Sequence, residues 1–177
     1  MRIIAGERKG HTIYAPRGRK TRPTSDRVRE NVFNIVAPWV EGSHVLDLFA
    51  GSGAMGLEAL SRGAASVVFV ESDPDAVRTI ERNLDKLRLT GATIVRQGIS
   101  TALAQEANAG RKYDLVLVDP PYAMTEYDVL SRYLPLILTD DGLVVLESDA
   151  RAEPDVGLAV RSSRRYGGTR VTVFAHE

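Results

Sequence analysis

Residues 45–56, with the sequence VLDLFAGSGAMG, decide the fold of this chain. The apolar run 45–49, with one acid at Asp47, is typical of a buried strand in a parallel sheet. Residues 54–62 have the composition of a short helix. Between them, three glycines follow the spacing G-x-G-x-x-G: Gly51, Gly53 and Gly56. This pattern predicts the strand, turn and helix that open many nucleotide-binding sheets. The plainer alternative is a tight strand–helix turn without a ligand.

The strand pattern recurs along the rest of the chain. Further short apolar runs predict strands at 67–70, 93–95, 115–118 and 143–146. Two final segments flank Gly167-Gly168 and predict a β-hairpin, at 158–166 and 169–176. The expected fold is α/β: a Rossmann-like, doubly wound, mainly parallel seven-stranded sheet with an antiparallel last strand. Residues 2–6 and 11–14 predict a short N-terminal β-hairpin extension in addition.

Helices are expected between the strands. Asp73 and Pro74 are typical of an N-cap and a first helical residue, and apolar residues then recur at helical spacing as far as Leu87. Ser25 is expected to cap an earlier helix. Further helices are expected at 54–62, 101–108 and 127–137. We expect Pro135 to interrupt the last of these.

Composition excludes several classes of protein. The 177 residues contain no cysteine, which excludes disulfides, a thiolate nucleophile and a zinc ribbon. The three histidines lack metal-ligand spacing, so we expect no metal site. No apolar stretch approaches the length of a membrane span, and Met1 is not followed by a secretory segment. A soluble cytoplasmic protein is therefore the expectation.

Charge is distributed unevenly, although the chain is neutral overall. Residues 1–30 contain nine Lys/Arg and three Asp/Glu, a net charge of +6, and the remainder carries −6. Such a separation of charge indicates a basic segment with its own partner. We expect residues 1–24 to form a basic N-terminal arm and residues 25–177 to form the main domain.

An acid after the second predicted strand indicates the kind of cofactor. Glu71 lies twenty residues after Gly51 and can accept hydrogen bonds from ribose hydroxyls, while Gly51 and Gly53 let the backbone approach a ligand. Asp47 lies near the glycine turn, where a carboxylate would oppose the pyrophosphate of NAD but suit a cationic amino group. The residues therefore favour S-adenosylmethionine over NAD. Ser72, next to Glu71, is a further candidate contact.

The tetrapeptide Asp119-Pro120-Pro121-Tyr122 follows the predicted strand 115–118, where open α/β sheets place their ligand chemistry. Asp119 and the carbonyl of Pro120 can both accept hydrogen bonds from one planar amino group, and Tyr122 offers a ring for stacking on a flat heterocycle. The set is suited to holding an exocyclic base amine while its nitrogen attacks an electrophile. Alternatively, the prolines only end the strand and the tyrosine only packs.

Together these motifs resemble the class I, S-adenosylmethionine-dependent amino-methyltransferases. Residues 22–34 (RPTSDRVRENVFN), the opening 2–6 (RIIAG), the glycine turn and 166–171 (YGGTRV) are similar to the ribosomal RNA small-subunit methyltransferase D family. The resemblance covers essentially the whole chain. It implies methyl transfer to the N2 amine of one guanine in 16S ribosomal RNA, position 966 in the usual RNA numbering. Asp119, Pro120 and Tyr122 would then lie at the reacting amine.

The resemblance implies roles for further residues. Thr24 would approach the methionine end of the cofactor. Related enzymes often carry an acid near the adenine after the third strand; since Gly98 and Ile99 lie here, we expect their backbone groups to contact the adenine. The basic arm would bind RNA phosphates through Arg2, Arg8, Lys9, Arg17, Arg19, Lys20 and Arg22. The alternative is a solvated charged arm. Arg164 and Arg165 are weaker RNA candidates.

The expected partner is 16S ribosomal RNA, within a small ribosomal subunit or an assembly intermediate, and we expect a monomer. Two other functions stay open. The first is another nucleic-acid amino-methyltransferase, acting on the N6 amine of adenine in DNA or RNA, although the chain contains no evident target-recognition insertion. The second is a non-catalytic RNA-binding protein with a vestigial pocket.

Overall fold

The computed structural model describes residues 1–17, 25–121, 123–124 and 127–177. Helices and strands alternate along these residues, as the sequence predicts. The α-helices are α1 (Asp26–Val36), α2 (Ala54–Ser61), α3 (Pro74–Leu87), α4 (Ile99–Asn108) and α5 (Tyr127–Ile137). The strands are β1 (His44–Leu48), β2 (Ser66–Val70), β3 (Ala92–Val95), β4 (Tyr113–Val118), β5 (Leu138–Asp149), β6 (Ala159–Tyr166) and β7 (Thr169–Ala175). A 3₁₀ turn, Ala37–Trp39, follows α1.

The strands form one seven-stranded sheet in the order β3-β2-β1-β4-β5-β7-β6. Strands β1 to β5 pair in parallel, and β7 pairs antiparallel with both β5 and β6. The predicted doubly wound sheet with an antiparallel end is therefore confirmed. Because β2 and β4 lie on opposite sides of β1, their carboxyl ends flank the switch point at which such sheets bind ligands.

A separate core fills each face of the sheet. In β4, Leu115 and Leu117 pack with the core that includes α1, α2 and α3. Val116 and Val118 point the other way and pack with α4 and α5. Because a central parallel strand is covered on both sides, its residues are apolar without alternation, which is why these runs were predictable. Among the described residues, no helix is long and apolar enough to cross a membrane.

Local capping sets the bounds of the helices. The Asp73 carboxylate accepts a hydrogen bond from the N–H of Asp75 at 2.8 Å, and Ser25 Oγ accepts from the N–H of Val28 at 3.2 Å, so both predicted N-caps are confirmed. Helix α5 has the predicted bounds, Tyr127–Ile137, and Pro135 lies within it without ending it. A proline has no N–H to donate to the carbonyl four residues earlier, that of Ser131, so α5 loses one hydrogen bond and ends two residues after Pro135.

The N-terminal head, which we define as residues 1–17, does not form the expected pair of strands. Among the described residues its β pairing is a single antiparallel bridge between Arg2 and Thr12. The N–H groups of Ile4 and Ala5 donate instead to the carboxylate of Glu58 in α2, at 2.9 and 3.0 Å. The β-hairpin extension is therefore not confirmed as a pair of strands. The N–H of Ile3 does donate to the carbonyl of His11 at 2.9 Å, but the pairing stops at Ile4 and Ala5, whose donors are taken by the buried carboxylate.

Buried charges and apolar side chains fasten the head to the main domain. Glu58 is fully buried and forms ion pairs with Arg62 at 2.8 Å and with Arg29 at 3.7 Å. Arg29, also fully buried, donates to the carbonyl of Arg2 in the head. Ile3 and Ile13 of the head lie in the core above α2 and α3. The head is thus packed onto the fold and is not a free arm over the residues described.

Candidate active site

A cavity of about 1160 Å³ opens at the carboxyl ends of β1, β2, β4 and β5. Its walls come from the glycine turn, the start of α1, the β6–β7 hairpin and the head. The charged residues that line it, among those described, are five acids and two arginines: Asp47, Glu71, Asp119, Glu147, Asp149, Arg27 and Arg165. The sequence-predicted residues Asp47, Gly51, Glu71, Ser72, Asp119 and Pro120 all line this cavity.

Asp47 is the most deeply buried of these acids, with 2% of its surface exposed. Its Oδ2 accepts a hydrogen bond from the N–H of Gly56 at 3.0 Å, which ties the strand to the start of α2. Burial raises the pKa of Asp47 from 3.8 to about 8; the Gly56 N–H opposes the rise, and the charges of Asp119 and Glu71 add to it. The three carboxylates therefore act on one another, and a cationic group among them would be stabilised.

Glu71 lies directly after β2 and holds the glycine turn in place. Its two oxygens accept hydrogen bonds from the N–H of Gly51 at 2.8 Å and from the N–H of Asp73 at 2.9 Å. Only 6% of Glu71 is exposed. Because each carboxylate oxygen can accept more than one hydrogen bond, Glu71 can still receive ligand hydroxyls while it holds the loop.

Backbone conformation in the glycine turn explains its residue types. Gly51 and Gly53 have φ of +57° and +80°, which other residues adopt at a cost. At Gly56 a Cβ atom would lie 2.3 Å from the ring of Phe69 in β2, so this glycine lets α2 pack closely on the sheet. Phe49, at φ of +58°, is a non-glycine residue in the same region, and such strain clusters at ligand sites.

Asn83 of α3 was not identified from the sequence. Its side chain joins the glycine turn to the head, and we call it the clamp of the site. It is fully buried, and its Nδ2 donates to the carbonyl of Ser52 in the glycine turn at 3.0 Å. The same amide also pairs with the backbone of Tyr14 in the head, at 2.7 and 3.0 Å. A polar residue between Ile80 and Leu87 on the buried stripe of α3 was the signal that could have revealed it.

A smaller cavity of about 200 Å³ lies between the ends of β2 and β3. It is lined by Phe49, Glu71, Ser72, Gly98 and Ile99, among others. Gly98 is the N-cap residue of α4, and Ile99 begins the helix. The structure therefore brings Gly98 and Ile99 to the same cavity as Glu71.

The Asp119 turn closes the cavity on the β4 side. Asp119 and Pro120 are partly buried, and the carbonyl of Pro121 accepts a hydrogen bond from the N–H of Met124 at 3.0 Å. Two predicted site residues, Tyr122 and Thr24, lie outside the described residues.

The predicted RNA-binding residues separate into different environments. Arg2, Lys9 and Arg17 are exposed on the head. Arg8 instead donates to the carbonyl of Leu87 at the end of α3, which gives it a packing role. Outside the described residues lie Arg19, Lys20 and Arg22. Of the weaker RNA candidates, Arg165 lines the large cavity and Arg164 does not appear in its lining.

Glu147 and Tyr166 are site residues that sequence reasoning missed. Both line the large cavity, Glu147 from the end of β5 and Tyr166 from the hairpin. Glu147 directly follows the apolar run 143–146, as Glu71 follows 67–70 and Asp119 follows 115–118, so the same signal was present. Within the part of the chain that the structure describes, no group of three or more His, Asp or Glu is arranged to hold a metal ion.

Comparisons with known proteins place the chain in a family. A family profile described as "Conserved hypothetical protein 95" matches residues 1–175. The "Putative rRNA methyltransferase YlbH" of Bacillus subtilis is 38% identical over 98% of each chain. "Ribosomal RNA small subunit methyltransferase D" of Escherichia coli is 38% identical over 84% of this chain and 75% of its own length.

Solved structures agree with the sequence relatives. The "Putative methyltransferase yhhF" of Escherichia coli superposes with a TM-score of 0.87 at 33% identity, over 100% of this chain and 98% of its own. The "putative methylase HI0767" of Haemophilus influenzae superposes with a TM-score of 0.78 at 26% identity, over 99% of this chain and 98% of its own. The resemblance drawn from the sequence motifs is thereby confirmed: this chain belongs to the ribosomal RNA small subunit methyltransferase D family and is an RNA methyltransferase.

Proposed function

We propose that this protein methylates the exocyclic N2 amine of one guanine in 16S ribosomal RNA, position 966 in the usual RNA numbering. The observation that carries the proposal is that Asp119 and Pro120, which can hold an amino group, line the same cavity as the cofactor residues Asp47 and Glu71. An acceptor amine and a methyl donor would therefore meet in one enclosed site.

S-adenosylmethionine is the cofactor, and the chemistry of the donor set fits it. Asp47 offers a buried carboxyl group, whose raised pKa a bound cationic amino group would lower, and Glu71 offers acceptor positions to ribose hydroxyls. The small cavity at Gly98 and Ile99 is suited to adenine. When bound, this cofactor supplies an activated methyl group, which passes to the guanine nitrogen as the carbon–sulfur bond breaks, with loss of S-adenosylhomocysteine and one amine proton.

The residues of the chain contribute positioning and electrostatics. Asp119 and the carbonyl of Pro120 accept the two amine hydrogens, which aims the nitrogen lone pair into the cavity. The same oxygens stabilise the positive charge that develops on nitrogen. Tyr122 supplies a ring on which the guanine stacks after the base has been extruded from the stacked RNA. A strong general base is unnecessary, since the alkylated nitrogen loses its proton readily.

The arrangement of charge supports a nucleic-acid substrate. Acids line the interior of the cavity, while Arg27 and Arg165 are exposed at its margin. Met1 and Pro16 of the head also line the cavity, so the basic head adjoins the site at which the base would enter. Exposed cations such as Arg17 would bind phosphates on either side of the target nucleotide.

We propose that the monomer acts in the cytoplasm on RNA in a small subunit or an assembly intermediate. The test supplies methyl-labelled S-adenosylmethionine with four acceptors: free 16S RNA, assembled small subunits, subunit assembly intermediates and duplex DNA. Label on 16S RNA or its particles, at a single guanine, supports the proposal, and the particle that accepts label fastest identifies the substrate state. Label on DNA, or on adenine, would overturn it.

A further inference from the structure

Glu147 lies beside Asp119 at the mouth of the site. The parallel register of β4 and β5 pairs Val118 with Leu146, and Asp119 and Glu147 are the next residues on each strand. Neighbouring strands are about 4.8 Å apart, so the two backbones carry their carboxylates side by side. Both residues line the large cavity, and Glu147 is 7% exposed.

The two side chains point to the same side of the sheet. Leu117, two residues before Asp119, and Val145, two residues before Glu147, both pack in the core under α1 and α2. Because strand residues alternate between faces, Glu147 continues the row of Val145 toward the cavity. Asp119 comes directly after the last residue of β4, two positions after Leu117, and lines the same cavity. The structure thus presents a pair of acceptors along one edge of the site.

Guanine offers two adjacent donors on its Watson–Crick edge, the N1–H and the N2 amine. Adenine presents a bare N1 acceptor beside its N6 amine. A carboxylate that faces N1 therefore accepts a hydrogen bond from guanine and is repelled by adenine. Enzymes that extrude a base read it through this edge.

On this basis we propose that Glu147 is the residue that specifies guanine: it accepts the N1–H while Asp119 holds the N2 amine. The inference rests on the proposed function, because it requires the base to enter with its N2 amine at Asp119. Glu147 need not give up its contacts within the protein, since a carboxylate can accept several hydrogen bonds.

The test uses RNA with guanine or 2-aminopurine at the target position. Both bases carry the N2 amine, but N1 of 2-aminopurine is an acceptor. We expect the wild-type enzyme to prefer guanine in kcat/KM by about 100-fold or more, as for a site built to pair with a donor. In Glu147→Gln the amide can donate to N1, so we expect this preference to shrink to about 10-fold or less.

The matched control is Asp149→Asn, which removes the same charge two residues along the same strand face and also lines the cavity. It should keep the wild-type preference. Glu147→Gln should also bind S-adenosylmethionine normally in calorimetry, which shows that the fold is intact.

The outcomes separate the inference from the proposed function. If the wild-type enzyme methylates guanine N2 but accepts 2-aminopurine equally well, the role of Glu147 is overturned and the proposed function is not. This outcome needs no variant. A folded Glu147→Gln with the wild-type preference has the same consequence. A wild-type enzyme that methylates adenine N6 instead overturns both.

Discussion

Replacement of Asp47 by asparagine should stabilise the cofactor-free protein in a strongly pH-dependent way. Burial raises the pKa of Asp47 from 3.8 to about 8, a difference that corresponds to about 6 kcal/mol at 1.36 kcal/mol per pKa unit. The folded chain therefore retains a proton at Asp47 that the unfolded chain releases. Between about pH 4 and pH 8, wild-type stability falls by about 1.4 kcal/mol per pH unit through this group.

Asparagine has the same shape, keeps an oxygen for the N–H of Gly56 and carries no titrating proton. The variant should therefore match the wild type near pH 4 and exceed its free energy of unfolding increasingly as pH rises. From pH 5 to pH 8 the difference should grow by about 4 kcal/mol. Urea unfolding followed by circular dichroism, without cofactor, measures it.

Asp140→Asn provides the control, because it removes the same charge from an exposed position. Its effect on the free energy of unfolding should be small at every pH. If the difference between Asp47→Asn and wild type were independent of pH, Asp47 would not be held protonated by burial, and the electrostatic description of the site would be wrong.

Three further changes probe the cofactor site, the clamp and the head. Glu71→Ala should weaken S-adenosylmethionine binding by about 1–3 kcal/mol in calorimetry, because Gly51 N–H and the ribose lose their acceptor; unchanged affinity would remove Glu71 from the cofactor site. Asn83→Ala should cost about 3 kcal/mol of unfolding free energy by leaving buried backbone groups unpaired, whereas the exposed Asn34→Ala should cost almost nothing; equal effects would contradict the clamp. Arg17→Ala should lower the slope of log RNA affinity against log salt by about 0.7–0.9, and an unchanged slope would place Arg17 away from the RNA.

The central sheet was predictable because its signals are local. Runs such as 115–118 are apolar without interruption, which is the consequence of burial on both faces. The glycines of the turn are likewise required by backbone conformation and close packing at their own positions. Asp47, Glu71 and Asp119 follow from the rule that ligands bind at the carboxyl ends of parallel strands.

Contacts between distant segments were not predictable in the same way. Asn83 pairs with Tyr14 across 69 positions, and Glu58 binds the head across 53 or 54. Nothing in the local sequence of the head indicates that the N–H groups of Ile4 and Ala5 meet a carboxylate, while the N–H of Ile3 donates to the carbonyl of His11. A buried polar residue on an otherwise apolar helix face, as at Glu58 or Asn83, indicates only that a partner exists.

The most direct test of the account is the identity of the methylated nucleoside and its dependence on Asp119. Wild-type protein, methyl-labelled S-adenosylmethionine and 16S RNA, free or in small subunits, are digested to nucleosides after single turnover and analysed by mass spectrometry. We expect N2-methylguanosine as the product, and a rate about 100-fold or more lower for Asp119→Ala with cofactor binding retained. N6-methyladenosine, or an Asp119→Ala variant that reacts at the wild-type rate, would contradict it.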